Sequence, residues 1–281
     1  MSNHKHTHGV IYTVFREPQQ LARAIQSTNS LKAEMPTIHV TLYSDLACDL
    51  TCFDEVIQVE RPEFIYVERI LCLQGCPYEY NLYLDADTFV CADIRELFTL
   101  LQNFDFAAAH APHRQAYPVL TVPDSFPEYN CGVMLFKKST QIKDFFDSWL
   151  YIYQRDLART IPNPMGLDPL KPEQRFRFHD QTAMREALYH SQLRIATLTP
   201  EYNCRFKRYS FLHGWVKILH GPSRTYQAIE NRINETDHQR VVLFEGGRPY
   251  LYVRPQAPSK SARWRSRLSR YLLRIAYYLR K

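Results

Sequence analysis

The chain has 281 residues, with 35 Lys and Arg against 29 Asp and Glu for a formal net charge of +6, and 45% of it is hydrophobic. That composition excludes wholesale disorder, the length is enough to bury a core without disulfide or metal staples, and no run of about 18 apolar residues is present to cross a bilayer. Eight cations and no acid fall between Lys260 and Lys281, so the preceding residues carry 27 cations against 29 acids; a basic patch on the fold itself is not expected, and nucleic acid is excluded as a partner.

Residues 1–8 are polar, with alternating His4, His6 and His8, and read as a disordered N-terminus without a secretory signal. An apolar, β-rich run follows from Gly9 to Phe15, and then a helical pattern through Leu21, Ala24, Ile25 and Leu31. Thr37–Tyr43 and Val56–Val59 read as strands, Ile65 to Leu73 as a helix carrying Arg69, and Tyr80–Leu84 as a strand. Strands alternating with helices predict an α/β fold with a mixed, mainly parallel sheet flanked by helices. With 8 glycines and neither G-x-G-x-x-G nor a Walker A sequence, dinucleotide-binding and P-loop folds drop out.

Asp93–Leu101 reads as a helix, Asp105–His110 as a strand, and 111–128 as a loop with four prolines. Asn130–Phe136 has the pattern of a buried strand. Ser139 is an N-cap candidate for a helix whose apolar face is Ile142, Phe145, Phe146, Trp149, Ile152 and Tyr153. Residues 159–178 are irregular and long enough for a binding loop or lid. A helix from about His179 and strands at Arg194–Leu198 and Val216–Leu219 complete the expected fold, a single domain over 9–255 followed by a tail over 256–281.

The seven cysteines are scattered, which suits a reduced, cytoplasmic setting. Cys48/Cys52 and Cys72/Cys76 form C-x₃-C pairs, but structural zinc uses tighter spacing, and they read better as small buried hydrophobes.

The most informative stretch is Leu82-Tyr83-Leu84-Asp85-Ala86-Asp87-Thr88, a hydrophobic strand ending in D-x-D. Ligands bind at the carboxyl ends of strands in open α/β sheets, and two carboxylates one residue apart in a turn can converge on one hard cation, which would clamp a diphosphate. The same string fits the opening of haloacid-dehalogenase phosphatases, with Asp85 as a phosphorylated nucleophile, but that reading expects the motif near the N-terminus and a later acidic pair.

With Tyr129-Asn130-Cys131-Gly132, His179-Asp180-Gln181 and Leu219-His220-Gly221-Pro222-Ser223-Arg224, the D-x-D stretch resembles the GT-A nucleotide-sugar glycosyltransferases, in particular the retaining family 8 type, over about residues 10–230. The resemblance implies a single GT-A, Rossmann-like domain. Asp85, Asp87 and His220 would hold manganese or magnesium, and Thr13, Val14 and Phe15 would end the first strand against the base and ribose of a UDP-sugar. Arg69 would touch the donor sugar and the acidic pair, with Ala86 between the acids. Asn130, Asp180 and Gln181 would line the donor-sugar pocket, Asp180 and Gln181 as the catalytic pair with the Gln181 amide nearest the anomeric carbon. Gly221 and Arg224 would meet the diphosphate. Arg16-Glu17-Pro18 lack the small polar and acidic groups common in the family, and Ser223-Arg224-Thr225-Tyr226 departs from its usual Lys-Pro-Trp. The implied function is metal-dependent sugar transfer from a nucleotide sugar to a glycan or glycolipid, with retention; a non-catalytic sugar-nucleotide or carbohydrate-binding module is the alternative.

Residues 262–281 place Trp264, Leu268, Tyr271, Leu272, Ile275 and Leu279 on one helical face beside Arg263, Arg267, Arg270 and Arg274. This is the pattern of an amphipathic helix lying on an anionic membrane surface, so the expected location is cytoplasmic and peripheral on a membrane.

Overall fold

The computed structural model of the protein describes residues 6–47, 52–60, 65–112, 119–157, 180–245 and 248–253. In chain order the first half comprises β1 (His8–Val14), α1 (Pro18–Glu34), β2 (His39–Ser44), β3 (Glu55–Gln58), α2 (Ile65–Gln74), β4 (Tyr80–Leu84), β5 (Thr88–Val90), α3 (Leu97–Leu100) and β6 (Phe106–His110). The second half comprises β7 (Tyr129–Lys137), α4 (Thr140–Leu157), α5 (Gln181–His190), β8 (Ile195–Leu198), a 3₁₀ turn (Pro200–Tyr202), β9 (Tyr209–Leu212), β10 (Ile218–His220), α6 (Tyr226–Ile233), β11 (Arg240–Glu245) and β12 (Arg248–Val253).

Seven strands form the main sheet in the order β3-β2-β1-β4-β7-β6-β8. All neighbours on the β3 to β4 side are parallel, β7 runs antiparallel to both β4 and β6, and β8 returns to parallel pairing with β6. The mixed, mainly parallel α/β sheet expected from the sequence is the one the chain forms. Its strands are apolar on both faces because helices cover both. Val10, Tyr12, Leu82, Leu84, Val133 and Leu135 pack on one side with α1 and α3, while the alternating Ile11, Tyr83, Met134 and Phe136 pack on the other with α2, α4 and α5. All six residues expected on the apolar face of α4 are buried, and the Ser139 hydroxyl accepts from the Ile142 N–H, as an N-cap should.

β10 pairs with β5 in a two-stranded ribbon, and β9, β11 and β12 form a third sheet. A separate small core of Cys204, Phe206, Leu212, Val216, Leu219, Tyr226, Ile229, Ile233 and Val242 supports this region. The ribbon positions the site, since its register places Thr88 opposite His220.

Several boundaries differ from expectation. β1 opens at His8, and the chain before it extends the sheet, with Tyr80 N–H donating to the Thr7 carbonyl at 2.9 Å and His6 stacked on His39 at 4.1 Å. The helix expected over Asp93–Leu101 shortens to Leu97–Leu100, and the strand expected over Val216–Leu219 becomes Ile218–His220. β5, β9, α6, β11 and β12 were not expected. Cys72 and Cys76 are buried in the main core, and burial pushes the Cys72 thiol up to about 12 and the Cys76 thiol up to about 11, so neither is a ready thiolate ligand. Cys48, His4, the stretch 159–178 and the tail over 262–281 lie outside the described residues. Among the described residues no helix is long and apolar enough to cross a membrane.

Candidate metal and donor site

β4 ends at Leu84, and the next four residues make a tight turn in which the Thr88 N–H and hydroxyl both donate to the Asp85 carbonyl, at 3.1 and 2.9 Å. The turn is anchored on both sides. The Asp85 N–H donates to the Gly132 carbonyl on β7 at 2.8 Å, and the Thr88 hydroxyl joins Ser27 and Tyr12 in a buried chain from α1 to β1. Asp85 and Asp87 therefore project from a fixed backbone at the carboxyl end of the sheet.

His220 reaches the same point from the ribbon. Its Nε2 lies 3.5 Å from Asp85 Oδ2 and 3.4 Å from Asp87 Oδ1, and His220 is itself buried. Asp85, Asp87 and His220 form the group among the described residues that can hold a metal ion, their ligand atoms lying within 4.8 Å of one another. The two oxygens of Asp85 have separate tasks. Oδ1 accepts from the Tyr83 hydroxyl at 2.8 Å and from Arg69 Nη1 at 3.3 Å, which leaves Oδ2 turned to His220 and Asp87.

Two glycines make the approach feasible. A Cβ on Gly132 would fall 2.0 Å from His220 Cε1 and 2.6 Å from Asp85 Oδ2, so the imidazole occupies space that only glycine leaves open. Gly221, with φ +133 and its N–H on the Asp87 carbonyl at 3.0 Å, adopts a backbone shape that L side chains rarely take and turns the chain immediately after His220. Two carboxylates, one imidazole and a cradle that a methyl group would fill suit a hard to borderline divalent cation such as Mn²⁺.

The charges around this group are balanced by cations. Burial alone would raise the Asp85 carboxyl, but hydrogen bonding to His220 and the charge of Arg69 hold it well below the usual carboxylate range. Burial and Arg205 lower the His220 pKa, whereas Asp85 and Asp87 raise it further, and the net shift is upward. Arg205 is lowered by burial and raised by Asp85 and Asp87, which places its guanidinium in the field of the acid pair. Arg69 is held from three sides: Nη2 pairs with the buried Asp180 carboxylate, and the guanidinium carbon lies 5.0 Å from the Tyr66 ring centre and 5.6 Å from that of Tyr83.

A hollow of about 250 Å³ faces the motif, lined by Thr13, Val14, Phe15, Tyr66, Arg69, Tyr83, Asp85, Ala86 and Asp87 among others. Thr13, Val14, Phe15, Arg69, Asp85, Ala86 and Asp87, which the resemblance assigned to donor binding, thus share one concavity. At its rim Arg16 takes φ 64, a left-handed conformation unusual for a residue with a side chain, while its N–H donates to Asp45 at 2.8 Å. Arg224 is exposed and lines a neighbouring cleft of about 1000 Å³ with Arg23, Lys207 and Arg232, across α1 from the hollow.

Asn130, Asp180 and Gln181 stand behind the acid pair rather than in that lining. Asn130 and Asp180 are buried, and Asp180, although it occupies the N-cap position of α5, directs its carboxylate to Arg69 instead of to the helix backbone. Its carbonyl accepts the Trp149 indole N–H at 2.9 Å. Asn130 Nδ2 donates to Gln181 Oε1 at 2.9 Å, and Gln181 Nε2 donates to the fully buried Glu128. Sequence reasoning missed Tyr66, Tyr83, Glu128, Asn203 and Arg205. Tyr83 sits inside the strand already singled out and alternates with Leu82 and Leu84, a usable signal; Asn203 and Arg205 fall in a short irregular segment that carries none.

No protein family and no curated protein matches the chain. Solved structures of similar outline include WbbM, a bifunctional glycosyltransferase, with TM-score 0.49 and 13% identity over 74% of this chain and 41% of that one. Another is the glycosyltransferase GlyE of Streptococcus pneumoniae TIGR4, with TM-score 0.47 and 18% identity over 77% of this chain and 55% of that one. A third is the galactosyltransferase LgtC in complex with donor and acceptor sugar analogs, with TM-score 0.49 and 12% identity over 81% of this chain and 94% of that one. The chain thus spans about half or less of the length of the first two. At these identities and scores the chemistry of this protein rests on its own residues.

Proposed function

We propose that the protein is a divalent-metal-dependent glycosyltransferase that moves a sugar from a nucleotide sugar, a UDP-sugar with Mn²⁺, to a glycan or glycolipid acceptor with retention at the anomeric carbon. The observation that carries this reading is the convergence of Asp85 Oδ2, Asp87 Oδ1 and His220 Nε2 beside a hollow that holds the end of β1 and Arg69. Among the described residues the group that joins Asp85 and Asp87 is the His220 imidazole, not the further carboxylates that a haloacid-dehalogenase phosphatase uses for magnesium.

Breaking the bond between an anomeric carbon and a diphosphate leaves charge on the departing oxygen, and a bound divalent cation supplies Lewis-acid stabilisation of that charge. The protein's own groups prepare for it. Asp85, Asp87 and His220 would hold the ion, and Arg205, which lies in the field of the acid pair, would add positive charge beside the phosphates, whereas Arg224 would have to reach them from the neighbouring cleft. Thr13, Val14 and Phe15 would position the nucleoside, and Arg69, oriented by Asp180, would meet the sugar. Gln181, with Oε1 committed to Asn130 and Nε2 to Glu128, presents a rigid amide edge whose remaining N–H and lone pair are the groups left for the sugar. Glu128 is fully buried and already accepts from Gln181 and Thr182, which does not suit a base for a water or acceptor hydroxyl. In the retaining reading, the departing phosphate oxygen takes the acceptor proton on the same face of the sugar, so no such base is required.

The test is a panel of nucleoside diphosphates and nucleotide sugars in thermal unfolding, each with and without Mn²⁺. A ligand bound to the native state raises the midpoint, by about 2.7 kcal/mol of stabilisation at one hundred times Kd. A UDP-sugar shift that needs Mn²⁺ supports the reading; no metal-dependent shift with any nucleotide overturns it.

A further inference from the structure

One hydrogen-bond chain joins the buried amides to the imidazole, and its direction can be worked out from its fixed ends. The Gly132 backbone N–H can only donate, and it meets Asn130 Oδ1 at 3.1 Å, which sets the orientation of the Asn130 amide. Asn130 Oδ1 lies 2.8 Å from the Asn203 amide, so the facing Asn203 atom is the Nδ2 donor. The other end of that amide, Asn203 Oδ1, lies 2.8 Å from His220 Nδ1 and is an acceptor, so Nδ1 carries a proton. The second arm agrees, since Asn130 Nδ2 donates to Gln181 Oε1 and Gln181 Nε2 donates to the Glu128 carboxylate. Reversing Asn130 would set donor against donor at Gly132, reversing Asn203 would set acceptor against acceptor at Asn130 Oδ1, and reversing Gln181 would do the same at Glu128.

We infer that Asn203 is a positioning residue that keeps a proton on His220 Nδ1 and so commits Nε2, the nitrogen facing Asp85 and Asp87, to act as the lone-pair donor for a divalent cation. The inference deepens the metal-dependent reading above and rests on it for its functional meaning. Asn203 is buried, its side chain bonds Asn130 and His220, and it is not part of the hollow's lining; it acts through His220. Without the Asn203 carbonyl, a neutral imidazole beside two carboxylates would place its single proton on Nε2, where both acids accept it, and the coordinating lone pair would be lost. A partner that fixes ring orientation and proton position is a recurrent feature of histidine ligands, and its loss typically weakens metal binding about 10–100-fold. The same amide links the metal end of the site to Asn130 and Gln181, so proton position on the imidazole and orientation of the sugar-facing amides are set by one network.

Two variants and two readouts test this in the full-length protein. Asn203→Leu keeps the branched shape and removes both polar atoms; Asn203→Asp keeps the acceptor for Nδ1–H and loses the donor to Asn130. Mn²⁺ binding is measured by calorimetry without nucleotide, and the His220 ring nitrogens are followed by ¹⁵N NMR in the metal-free protein at alkaline pH. The expected result is a bare Nε2 in the unmodified protein and in Asn203→Asp, and a proton moved to Nε2 in Asn203→Leu with Mn²⁺ affinity reduced about 10–100-fold. Unchanged ring shifts and unchanged Mn²⁺ affinity in Asn203→Leu overturn the inference. Where Asn203→Leu does not fold, Asn203→Asp decides alone: a bare Nε2 supports the inference, and a proton on Nε2 overturns it. If the unmodified protein shows the bare Nε2 but binds no Mn²⁺, the functional reading fails while the positioning role stands, so the two failures are distinguishable.

Discussion

Gly132 and His220 share one volume: a methyl group on Gly132 would sit 2.0 Å from the imidazole Cε1. Because the obstacle lies on β7, whose flanking strands hold the backbone on both sides, the imidazole is the group that would have to move. Gly132→Ala should therefore leave the main sheet folded and displace His220 from Asp85 and Asp87. Calorimetric titration with Mn²⁺ should show affinity reduced by about 100-fold, and near-native affinity would mean that β7 gives way instead.

Asp87→Ala and His220→Ala should remove metal-dependent turnover of a nucleotide sugar, a loss of about 10²-fold or more, because these groups supply electrostatic stabilisation rather than packing. Gln181→Ala should lower kcat more than it raises KM if its amide acts mainly in the transition state. Steady-state kinetics over a range of Mn²⁺ and donor concentrations separates the three.

Asp180 and Arg69 form a buried ion pair, with Asp180 1% exposed and Arg69 7%. Removing one partner of such a pair strands a charge, which typically costs about 3–5 kcal/mol. Asp180→Ala should thus fall by that amount in denaturant unfolding as well as losing activity, whereas Gln181→Ala should stay within about 1 kcal/mol of the unmodified protein. Equal stability of the two would show that Asp180 is not the anchor of Arg69.

Asp105 ties together the starts of β6 and β8 and the end of β7. It accepts from the Arg194 N–H and guanidinium at 2.9 to 3.1 Å and pairs with Lys137 at 2.8 Å. Hydrogen bonding from Arg194 holds its carboxyl well below the usual range, outweighing burial, with further help from Lys137. A depressed folded-state pKa contributes stability that is fully present above the unfolded value of about 3.9 and is lost as the pH falls toward the folded value. Asp105→Asn should accordingly be less stable by about 1–2 kcal/mol at neutral pH, and the difference should close in acid below about pH 4. Urea midpoints across that range check the sign; a gap that widens in acid contradicts it.

The basic segment over 262–281, outside the described residues, is proposed as a membrane-surface anchor. Ending the chain after Pro258 should preserve donor hydrolysis and abolish co-sedimentation with anionic vesicles, the binding of the full chain being weakened by salt. Loss of donor binding on truncation would show instead that the segment belongs to the catalytic fold.

Most of the main sheet was legible because its strands and helices carry their own periodicity: Leu82, Tyr83 and Leu84 alternate between two apolar faces, and Ile142 through Tyr153 mark one helical face. The ribbon was not. β5 and β10 are three residues each, too short for a period, and exist because they pair with one another across the 127 residues of chain between Val90 and Ile218. The pairing brings His220 to the acids, which local sequence cannot express; only the resemblance suggested it. Asp180, expected in the donor-sugar pocket, stands at the N-cap position of α5 and holds Arg69 instead, since the cost of burying a guanidinium outweighs a capping hydrogen bond. Asn203 could not be read at all, because its meaning lies in what stands on either side of it in space.

Trp149 gives this architecture an optical handle. Its indole is fully buried, with its N–H bonded to the carbonyl of Asp180, the residue just before Gln181. Trp215 is half exposed, so a collisional quencher such as iodide darkens it and spares Trp149. The emission that survives quenching then comes from the corner where Arg69, Asp180 and Gln181 meet, together with whatever Trp264 contributes from the tail. In the chain ended after Pro258 that residual light belongs to Trp149 alone, and a titration of metal or nucleotide can be followed at that corner without attaching a dye.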